Sequence, residues 1–227
     1  MTVFKRFAMY YAPEAGDLAD FGASWLGWDL TTGKATTHPQ IEGLDVAALT
    51  ATPRKYGLHG TMKPPFRLAE DTDFNALSAA AETLCAAQAP VRLEGLALAR
   101  LGGFLALTVT GDTQPLSTLA ATIVRGLDDY RAAPSDAELN RRRKANLTDR
   151  QEALLTQWGY PYVMEEFRFH ITLTGRLDRV EADTVRNRLA SIVTPLLPRP
   201  FIVSDLCLVG EDEAGMFHLI HRYALSG

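Results

Sequence analysis

The sequence predicts an α+β fold in which two pseudo-symmetric lobes, each an antiparallel sheet flanked by helices, form a central groove. Three observations favour this class. Strand-like alternation and helical spacing of apolar residues follow one another along the chain. A strand, a helix and a hairpin recur in the same order in each half. Each copy also contains an apolar-His-x-Thr motif, and the second motif follows the first by 111 residues.

The chain has 227 residues, which is long enough to bury a sizeable core. We expect a single bilobed domain over 1–227. Its first lobe is predicted at 1–110, a helical connector at 111–160 and the second lobe at 161–227. These boundaries lie where helical patterns interrupt the strands.

The first lobe begins with a strand over 6–12, which is rich in strand-forming residues and ends at Pro13. Apolar side chains at 18, 21 and 25 have helical spacing and predict a short helix that faces the core. The other predicted elements are a short helix at 45–49, a helix capped by Asp73, and strands over 91–101 and 104–110 joined by a hairpin turn at Gly102 and Gly103.

The connector is predicted to be helical because three helix starts follow one another. A proline opens the first helix, and Ser135 with Glu138 and Thr148 with Gln151 form capping boxes for the next two. The second of these helices carries the basic run 141–144. Such a run is typical of a solvated helix face; contact with a substrate or with RNA is the alternative.

The second lobe repeats the order of the first. The turn at Gly102 follows His59 by 43 residues, and a turn at Glu213 follows His170 by the same number. Such repetition is typical of duplicated lobes related by an approximate two-fold axis, so the two motif strands should face one groove. The predicted elements are a strand over 166–174, a helix over 180–192 and strands over 201–210 and 216–225.

The two motifs are Leu58-His59-Gly60-Thr61 and Phe169-His170-Ile171-Thr172. Side chains alternate along a strand, so His and Thr two positions apart project from the same face. Two such pairs across a groove would surround a tetrahedral anion with two proton carriers and two hydroxyl donors. We therefore predict a metal-independent phosphodiester site with His59, Thr61, His170 and Thr172 as its catalytic residues. The glycine between His59 and Thr61 indicates close approach by a ligand or backbone.

Four further residues are predicted to bind the substrate: Lys63, Arg168, Tyr11 and Arg54. Arg54 and Lys63 flank the first motif, and Arg168 shares the polar face of its strand with His170. Guanidinium and ammonium groups suit phosphate. Tyr10 and Tyr11 must point to opposite faces of their strand, and one of them is expected in the core while the other lines a pocket. For each cation a solvated position is the alternative.

Composition and charge exclude several classes. The net charge of −4 gives no overall attraction to nucleic acid or to an anionic membrane. No apolar stretch approaches the roughly 18 residues of a membrane span, and the start of the chain, 1–6, is strand-like rather than a secretory signal. Cys85 and Cys207 lie in apolar surroundings, typical of buried thiols in a reducing compartment. We expect a cytoplasmic protein.

The sequence predicts neither a metal site nor a cofactor. His218 and His221 are three residues apart on a predicted strand, which places them on opposite faces, and no cysteine or carboxylate stands at ligand spacing. There is no glycine-rich loop of nucleotide-binding spacing and no Ser-centred nucleophile motif.

Longer runs support a resemblance to a known family. With its two apolar-His-x-Thr motifs in repeated lobes, the chain resembles the two-histidine (2H) phosphoesterase superfamily, which includes cyclic phosphodiesterases and enzymes that process RNA 2′,3′-cyclic phosphates. Within it, the chain is similar to a branch of unknown function associated with phosphonate metabolism. The runs that carry this similarity are AMYYAP, WLGWD, PRKYGLHGTMKPPFRL, LNRRRKANLT and WGYPYVMEEFRFHITLTGRL.

This resemblance implies a bilobed, LigT-like α+β fold, no required metal, and a site at the two motifs. The leading hypothesis is a hydrolase that opens a small cyclic phosphodiester, such as a sugar cyclic phosphate in phosphonate catabolism, with one histidine as base and the other as acid. One alternative is an RNA 2′,3′-cyclic phosphate end-processing enzyme that uses the run 141–144. The other is a non-catalytic module that binds a phosphorylated metabolite or nucleotide. Which histidine is the base, and the oligomeric state, are left open.

Overall fold

A computed structural model describes residues 3–227; the first two residues of the strand-like start lie outside the described part. It has the predicted α+β class, with strands and helices interspersed along the chain. The strands are β1 (Arg6–Tyr11), β2 (Trp28–Asp29), β3 (Lys34–Ala35), β4 (Gly60–Phe66), β5 (Val91–Leu93), β6 (Gly95–Leu101), β7 (Phe104–Thr110), β8 (His170–Thr172), β9 (Phe201–Val203), β10 (Asp205–Glu211) and β11 (Phe217–Ala224). The helices are α1 (Asp17–Leu26), α2 (Val46–Leu49), α3 (Phe74–Ala86), α4 (Gln114–Gly126), α5 (Asp136–Arg143), α6 (Asp149–Trp158) and α7 (Arg179–Val193).

One seven-stranded antiparallel sheet dominates the fold, in the order β11-β10-β1-β4-β8-β7-β6. The two motif strands, β4 and β8, are neighbours in the middle of this sheet. Two small two-stranded sheets, β2 with β3 and β5 with β9, accompany it. The two copies of the motif therefore meet along one line of hydrogen bonding rather than on separate sheets.

The strand order corrects the predicted division into lobes. The hairpin of β6 and β7 comes from the first half of the chain, but β7 pairs with β8 of the second half. The hairpin of β10 and β11 comes from the second half, and β10 pairs with β1. The segments 1–110 and 161–227 thus exchange hairpins and do not form separate lobes. Sequence spacing revealed the repeat, but it contains no information about which strands pair.

Local sequence signals explain where the helices begin. Asp73 accepts a hydrogen bond from the N–H of Ala76 at 2.8 Å and so caps α3. The predicted capping boxes at the starts of α5 and α6 are both formed. Helix α6 ends at Gly159, whose left-handed conformation favours a residue without a side chain.

The two faces of the sheet are covered to different extents, and the side chains of β1 show this difference. Phe7, Met9 and Tyr11 belong to the large hydrophobic cluster, together with apolar residues of α1, α3, α4 and α7. Ala8 and Tyr10 belong to a smaller cluster on the other face. Strict alternation along β1 thus separates a helix-covered face from a more open one. The motif side chains lie on the more open face.

Candidate active site

Pairing of β4 with β8 brings the four motif side chains together. We call them the quartet: His59, Thr61, His170 and Thr172. Gly60 is paired with Ile171 in antiparallel register. Extending that register by one residue each way places His59 opposite Thr172 and Thr61 opposite His170. Directly opposed residues share a face with Cβ atoms about 4.5–5.5 Å apart, and diagonal neighbours lie about 7–8 Å apart. Each histidine therefore faces the threonine of the other motif, and the two imidazoles are diagonal neighbours.

His59 is held in a defined orientation at both ring nitrogens. Its Nδ1 lies 3.0 Å from the carbonyl oxygen of Gly57, and its Nε2 lies 3.1 Å from Oγ1 of Thr61. A carbonyl oxygen can only accept, so Nδ1 must carry the hydrogen. In the neutral ring, Nε2 is then the acceptor and takes the hydroxyl hydrogen of Thr61.

His170 repeats this arrangement. Its Nδ1 lies 2.7 Å from the carbonyl oxygen of Arg168, again two residues upstream. The same argument gives Nδ1 the hydrogen and makes Nε2 the nitrogen available for proton transfer. The ring of Phe104 lies 5.7 Å away between centroids. Both motifs therefore fix the imidazole by its own backbone and present the same atom.

The surroundings of the two histidines differ. Tyr10 stacks on His59 with ring centroids 4.0 Å apart, and Tyr56 lies 5.6 Å away. Burial lowers the pKa of His59 to about 4, against the hydrogen bond from Nδ1 to Gly57, and the nearby charge of protonated His170 lowers it further. At neutral pH, His59 is consequently a neutral imidazole with its hydrogen on Nδ1.

Two adjoining cavities flank the quartet and share Thr61, Pro64 and Tyr160 in their walls. The cavity of about 370 Å³ contains His170 and is otherwise mostly apolar. The cavity of about 310 Å³ contains His59 and Thr172 and is richer in cations. The groove is thus divided into an apolar compartment, lined by Leu101, Tyr162, Val163 and Phe167, and a cationic compartment, lined by Arg6, Arg142 and Arg176.

Lys63 lies outside the groove, contrary to the sequence-based expectation. Its side chain is only 2% exposed, and Nζ donates to the carbonyl oxygen of Val124 at 3.0 Å and lies 3.4 Å from Asp128. The cause is a β-bulge: Tyr10 pairs with Thr61, but Met9 pairs with Lys63. The extra residue in β4 breaks the alternation, so Lys63 points toward α4 and holds its C-terminal end.

Two other predicted substrate contacts are structural in this fold. Arg54 donates to the carbonyl oxygens of Leu26, the last residue of α1, at 3.2 Å and of Ala47 in α2 at 2.6 Å. It therefore satisfies helix-end carbonyls rather than facing the groove. Tyr11 is buried on the helix-covered face, where it contacts Phe201 edge-on with centroids 5.0 Å apart. The tyrosine in the groove wall is its neighbour, Tyr10.

Arg168 does lie at the groove. It is exposed and lines the apolar compartment beside His170. Its guanidinium donates to the carbonyl oxygens of Glu165 at 3.0 Å and Phe167 at 2.8 Å. These bonds use one nitrogen, Nη1, and leave the other donors of the guanidinium for a ligand.

Gly60 is a point of close approach, but its neighbour is a side chain rather than the ligand or backbone that was expected. A Cβ placed there would lie 2.3 Å from Cε2 of Phe169, the residue before His170. The close approach is therefore made by an aromatic ring on the face opposite the histidines. It brings the two motif strands together and explains why glycine stands between His59 and Thr61.

His218 is engaged elsewhere, and its ring Nε2 lies 2.8 Å from a carboxylate oxygen of Asp212. A bulge shifts the β10–β11 register between His218 and His221, so simple alternation does not relate them. Within residues 3–227, no cluster of three or more His, Cys, Asp or Glu has the arrangement of a metal site. In the same range, no helix is long and apolar enough to cross a membrane.

Sequence reasoning missed several residues of the groove wall. Tyr56 and Tyr160 carried only an aromatic signal, which is common to core positions, and Tyr10 was considered but Tyr11 was chosen in its place. Arg176 lies in the loop after β8, which ends at Thr172, and the significance of this position depends on the fold. Arg142 was noticed as part of the basic run, but nothing in that run distinguished it from Arg143, which forms an ion pair with Glu152 instead.

The fold and site define an antiparallel α+β protein with a pair of His-x-Thr motifs at the centre of its sheet. Residues 61–218 match the family described as "Protein of unknown function (DUF1045)". The chain belongs to this family.

Two curated relatives share the name "Ribose 1,5-bisphosphate phosphokinase PhnN". The protein from Janthinobacterium sp. (strain Marseille) is 39% identical over 184 residues, which cover 79% of this chain and 41% of the relative. The protein from Laribacter hongkongensis (strain HLHK9) is 35% identical over 211 residues, which cover 92% of this chain and 49% of the relative. The chain thus spans less than half the length of either relative.

Solved structures give more distant likenesses. E. coli LigT complexed with 3′-AMP is 14% identical, with 98% of this chain and 99% of that chain covered and a TM-score of 0.49. LigT complexed with NADP+ is 13% identical, with 99% of both chains covered and a TM-score of 0.49. A structure described as a phosphoesterase is 11% identical, with 99% and 100% covered and a TM-score of 0.44. All three TM-scores lie below 0.5.

Proposed function

We propose that the chain is a metal-independent phosphoesterase that opens a small cyclic phosphodiester by general acid–base catalysis. The observation that supports this most is the matched pair of imidazoles. Both rings hold Nδ1 on a backbone carbonyl two residues upstream, and both present Nε2 on one face of the sheet. Two proton carriers on opposite sides of a phosphorus atom are what an in-line displacement needs.

The unequal surroundings of the histidines divide the roles. His59, whose pKa is lowered to about 4, is neutral at pH 7 and accepts a proton from the attacking water at Nε2. The water oxygen bonds to phosphorus, and the bond from phosphorus to one ring ester oxygen breaks. That oxygen takes a proton from Nε2 of His170, and the product is a phosphate monoester. When substrate binds, the hydroxyl hydrogen of Thr61 turns from Nε2 of His59 to a non-bridging oxygen, which frees Nε2 for the water, and Thr172 donates to a non-bridging oxygen as well.

The substrate class is proposed to be a cyclic phosphate of a ribose derivative. The curated relatives are named for a phosphokinase of ribose 1,5-bisphosphate, and this chain matches less than half of each. The chain itself contains no glycine-rich loop of nucleotide-binding spacing, so we assign it a separate step on a related sugar phosphate. Hydrolysis of a cyclic ester on a phosphorylated ribose yields a ribose bisphosphate.

The test is a panel of ribose cyclic phosphates and cyclic nucleotides, followed by phosphate-ester NMR with and without EDTA. We expect turnover that EDTA does not affect. His59→Ala and His170→Ala should each lower the rate by about 10²–10⁴-fold, the contribution of general acid–base help. His221→Ala, at an exposed position outside the quartet, serves as the control. Full activity of the double His59/His170 variant, or strict metal dependence, would refute the assignment.

A second candidate, processing of RNA ends with a 2′,3′-cyclic phosphate, is favoured by one observation. Arg142 lines the cationic compartment, and Arg141 lines a smaller cavity that also includes Arg142. An RNA strand leaving the groove would follow these side chains. This function predicts binding that weakens steeply with salt and a preference for oligonucleotides over mononucleotides. Binding across the panel without turnover would instead indicate a non-catalytic phosphometabolite module.

A further inference from the structure

The cationic compartment beside His59 contains more positive charge than a diester requires. Three arginines line it, and among the described residues no Asp or Glu does. Arg6 is neutralised by Glu211, to which Nη2 donates at 2.8 Å. Within residues 3–227, neither Arg142 nor Arg176 has a carboxylate oxygen within 4.0 Å. Two guanidinium groups are therefore left without an acidic partner.

Arg142 is held in place from the connector. Its guanidinium lies over the ring of Tyr160, 4.5 Å from the centroid. Stacking on a ring uses the face of the guanidinium and leaves its in-plane N–H donors available. The helix that carries it is tied to α6 by the ion pair between Arg143 and Glu152. Arg142 is therefore oriented by an aromatic ring and by its helix, and none of these contacts neutralises its charge.

Arg176 is placed by the backbone on both sides of it. The N–H of Gly175 donates to the carbonyl oxygen of Leu49, and the N–H of Leu177 donates to that of Gly103, each at 2.7 Å. A Cβ at Gly103 would lie 3.3 Å from Nε of Arg176, so the hairpin turn leaves room for this side chain. Arg176 also borders a second cavity with Asp45 and Glu181, although neither carboxylate pairs with it.

The positive charge of the cationic compartment indicates which phosphate group it can bind. The diester carries one negative charge, and the quartet already supplies its donors. A phosphate monoester carries a charge of about −1.5 to −2 near neutrality and three acceptor oxygens. Two arginines, one from α5 and one from the loop after β8, can donate in-plane hydrogen bonds to such a group.

We propose that this compartment is a second phosphate site, in which Arg142 and Arg176 bind a phosphate monoester elsewhere on the substrate. The proposal rests on the proposed function only in placing the diester at the quartet. It defines the substrate as a cyclic phosphodiester that carries a separate terminal phosphate. The arginines act in binding and selection rather than in proton transfer.

The experiment compares probes that differ by one phosphate group. We would measure Kd by titration calorimetry, at low and fixed salt, for adenosine 2′,3′-cyclic phosphate and for its 5′-phosphorylated form, in the His170→Ala background so that the ring is not opened. The 5′-phosphorylated probe is expected to bind tenfold or more tightly than the unphosphorylated one. Adding Arg142→Gln or Arg176→Gln should remove most of this advantage while leaving the Kd of the unphosphorylated probe, whose single phosphate is the diester, within about twofold. Arg143→Gln, a neighbouring arginine that pairs with Glu152, is the matched control.

Two outcomes overturn the second site. One is equal affinity for the two cyclic phosphates before either arginine is changed. The other is an equal loss of affinity for both probes in the Arg142 and Arg176 variants, which would place these arginines on the first phosphate. Failure of the proposed function looks different. In that case the parent protein turns over no cyclic phosphate, while the arginine-dependent preference for the 5′-phosphorylated probe persists.

Discussion

Replacing Gly60 with alanine should loosen the junction between the two motif strands. The new Cβ would lie 2.3 Å from Cε2 and 2.4 Å from Cζ of Phe169, whereas carbon atoms in contact sit about 3.5–4.0 Å apart. The ring must therefore retreat by more than about 1 Å. Tyr11 and Phe201 pack against it with centroids 6.0 and 5.8 Å away, so it has little room. Overpacking of this kind costs about 1–3 kcal/mol.

The assay is urea denaturation of a double-mutant cycle. Gly60→Ala should lower the free energy of unfolding by about 2 kcal/mol, and combining it with Phe169→Leu should cost about 1–2 kcal/mol less than the sum of the single changes. Gly175→Ala is the control, because a Cβ there meets its nearest neighbours at an ordinary 3.5 Å. A Gly60→Ala protein as stable as its parent, or strictly additive effects, would refute the reasoning.

Three further predictions concern titration. His59 should titrate near pH 4 by NMR. Its pKa in the folded protein lies below the value of 6.5 in the unfolded chain, so the unfolded chain binds the proton first as the pH falls. The free energy of unfolding of the parent should therefore decrease by about 2–3 kcal/mol from pH 6.5 to 4, relative to His59→Gln. Tyr10→Ala should raise the pKa of His59 toward 6.5 in the same NMR titration, because water replaces the stacked ring. Burial lowers the pKa of Lys63 to about 8, so urea denaturation should show parental stability rising by about 2–3 kcal/mol between pH 8 and 10.5, and no such rise in Lys63→Met.

Much of the local structure could be predicted from the sequence. Capping residues such as Asp73 and Ser135 determine helix starts within a few residues of chain, so their signals are readable directly. The alternation around the second motif was also correct: Phe167, Phe169 and Ile171 are buried, and His170 lies on the other face, although regular strand structure is limited to β8. These features depend on neighbours close in sequence.

The errors came from contacts between distant segments. The bulge that turns Lys63 away from the groove exists only in the pairing of β4 with β1. The choice between Tyr10 and Tyr11 likewise depends on which face of β1 meets Thr61. Gly60 was recognised as a point of close approach, but its neighbour, Phe169, lies more than a hundred positions away in the chain. Alternation predicts which residues of a strand share a face, but only the pairing of strands determines which of the two faces meets the core.

Because the two halves of the chain exchange hairpins, the groove needs strands that are synthesised far apart in time. Strand β4 leaves the ribosome long before its partner β8, and the outer strands beside β1 are made last of all. A nascent or truncated chain can therefore possess either His-x-Thr motif and still lack the surface on which both act. Long-range pairing of this kind makes assembly slow. Because β8 completes the pair of motif strands and β10 pairs with β1, we expect a chain truncated before these strands to lack the groove.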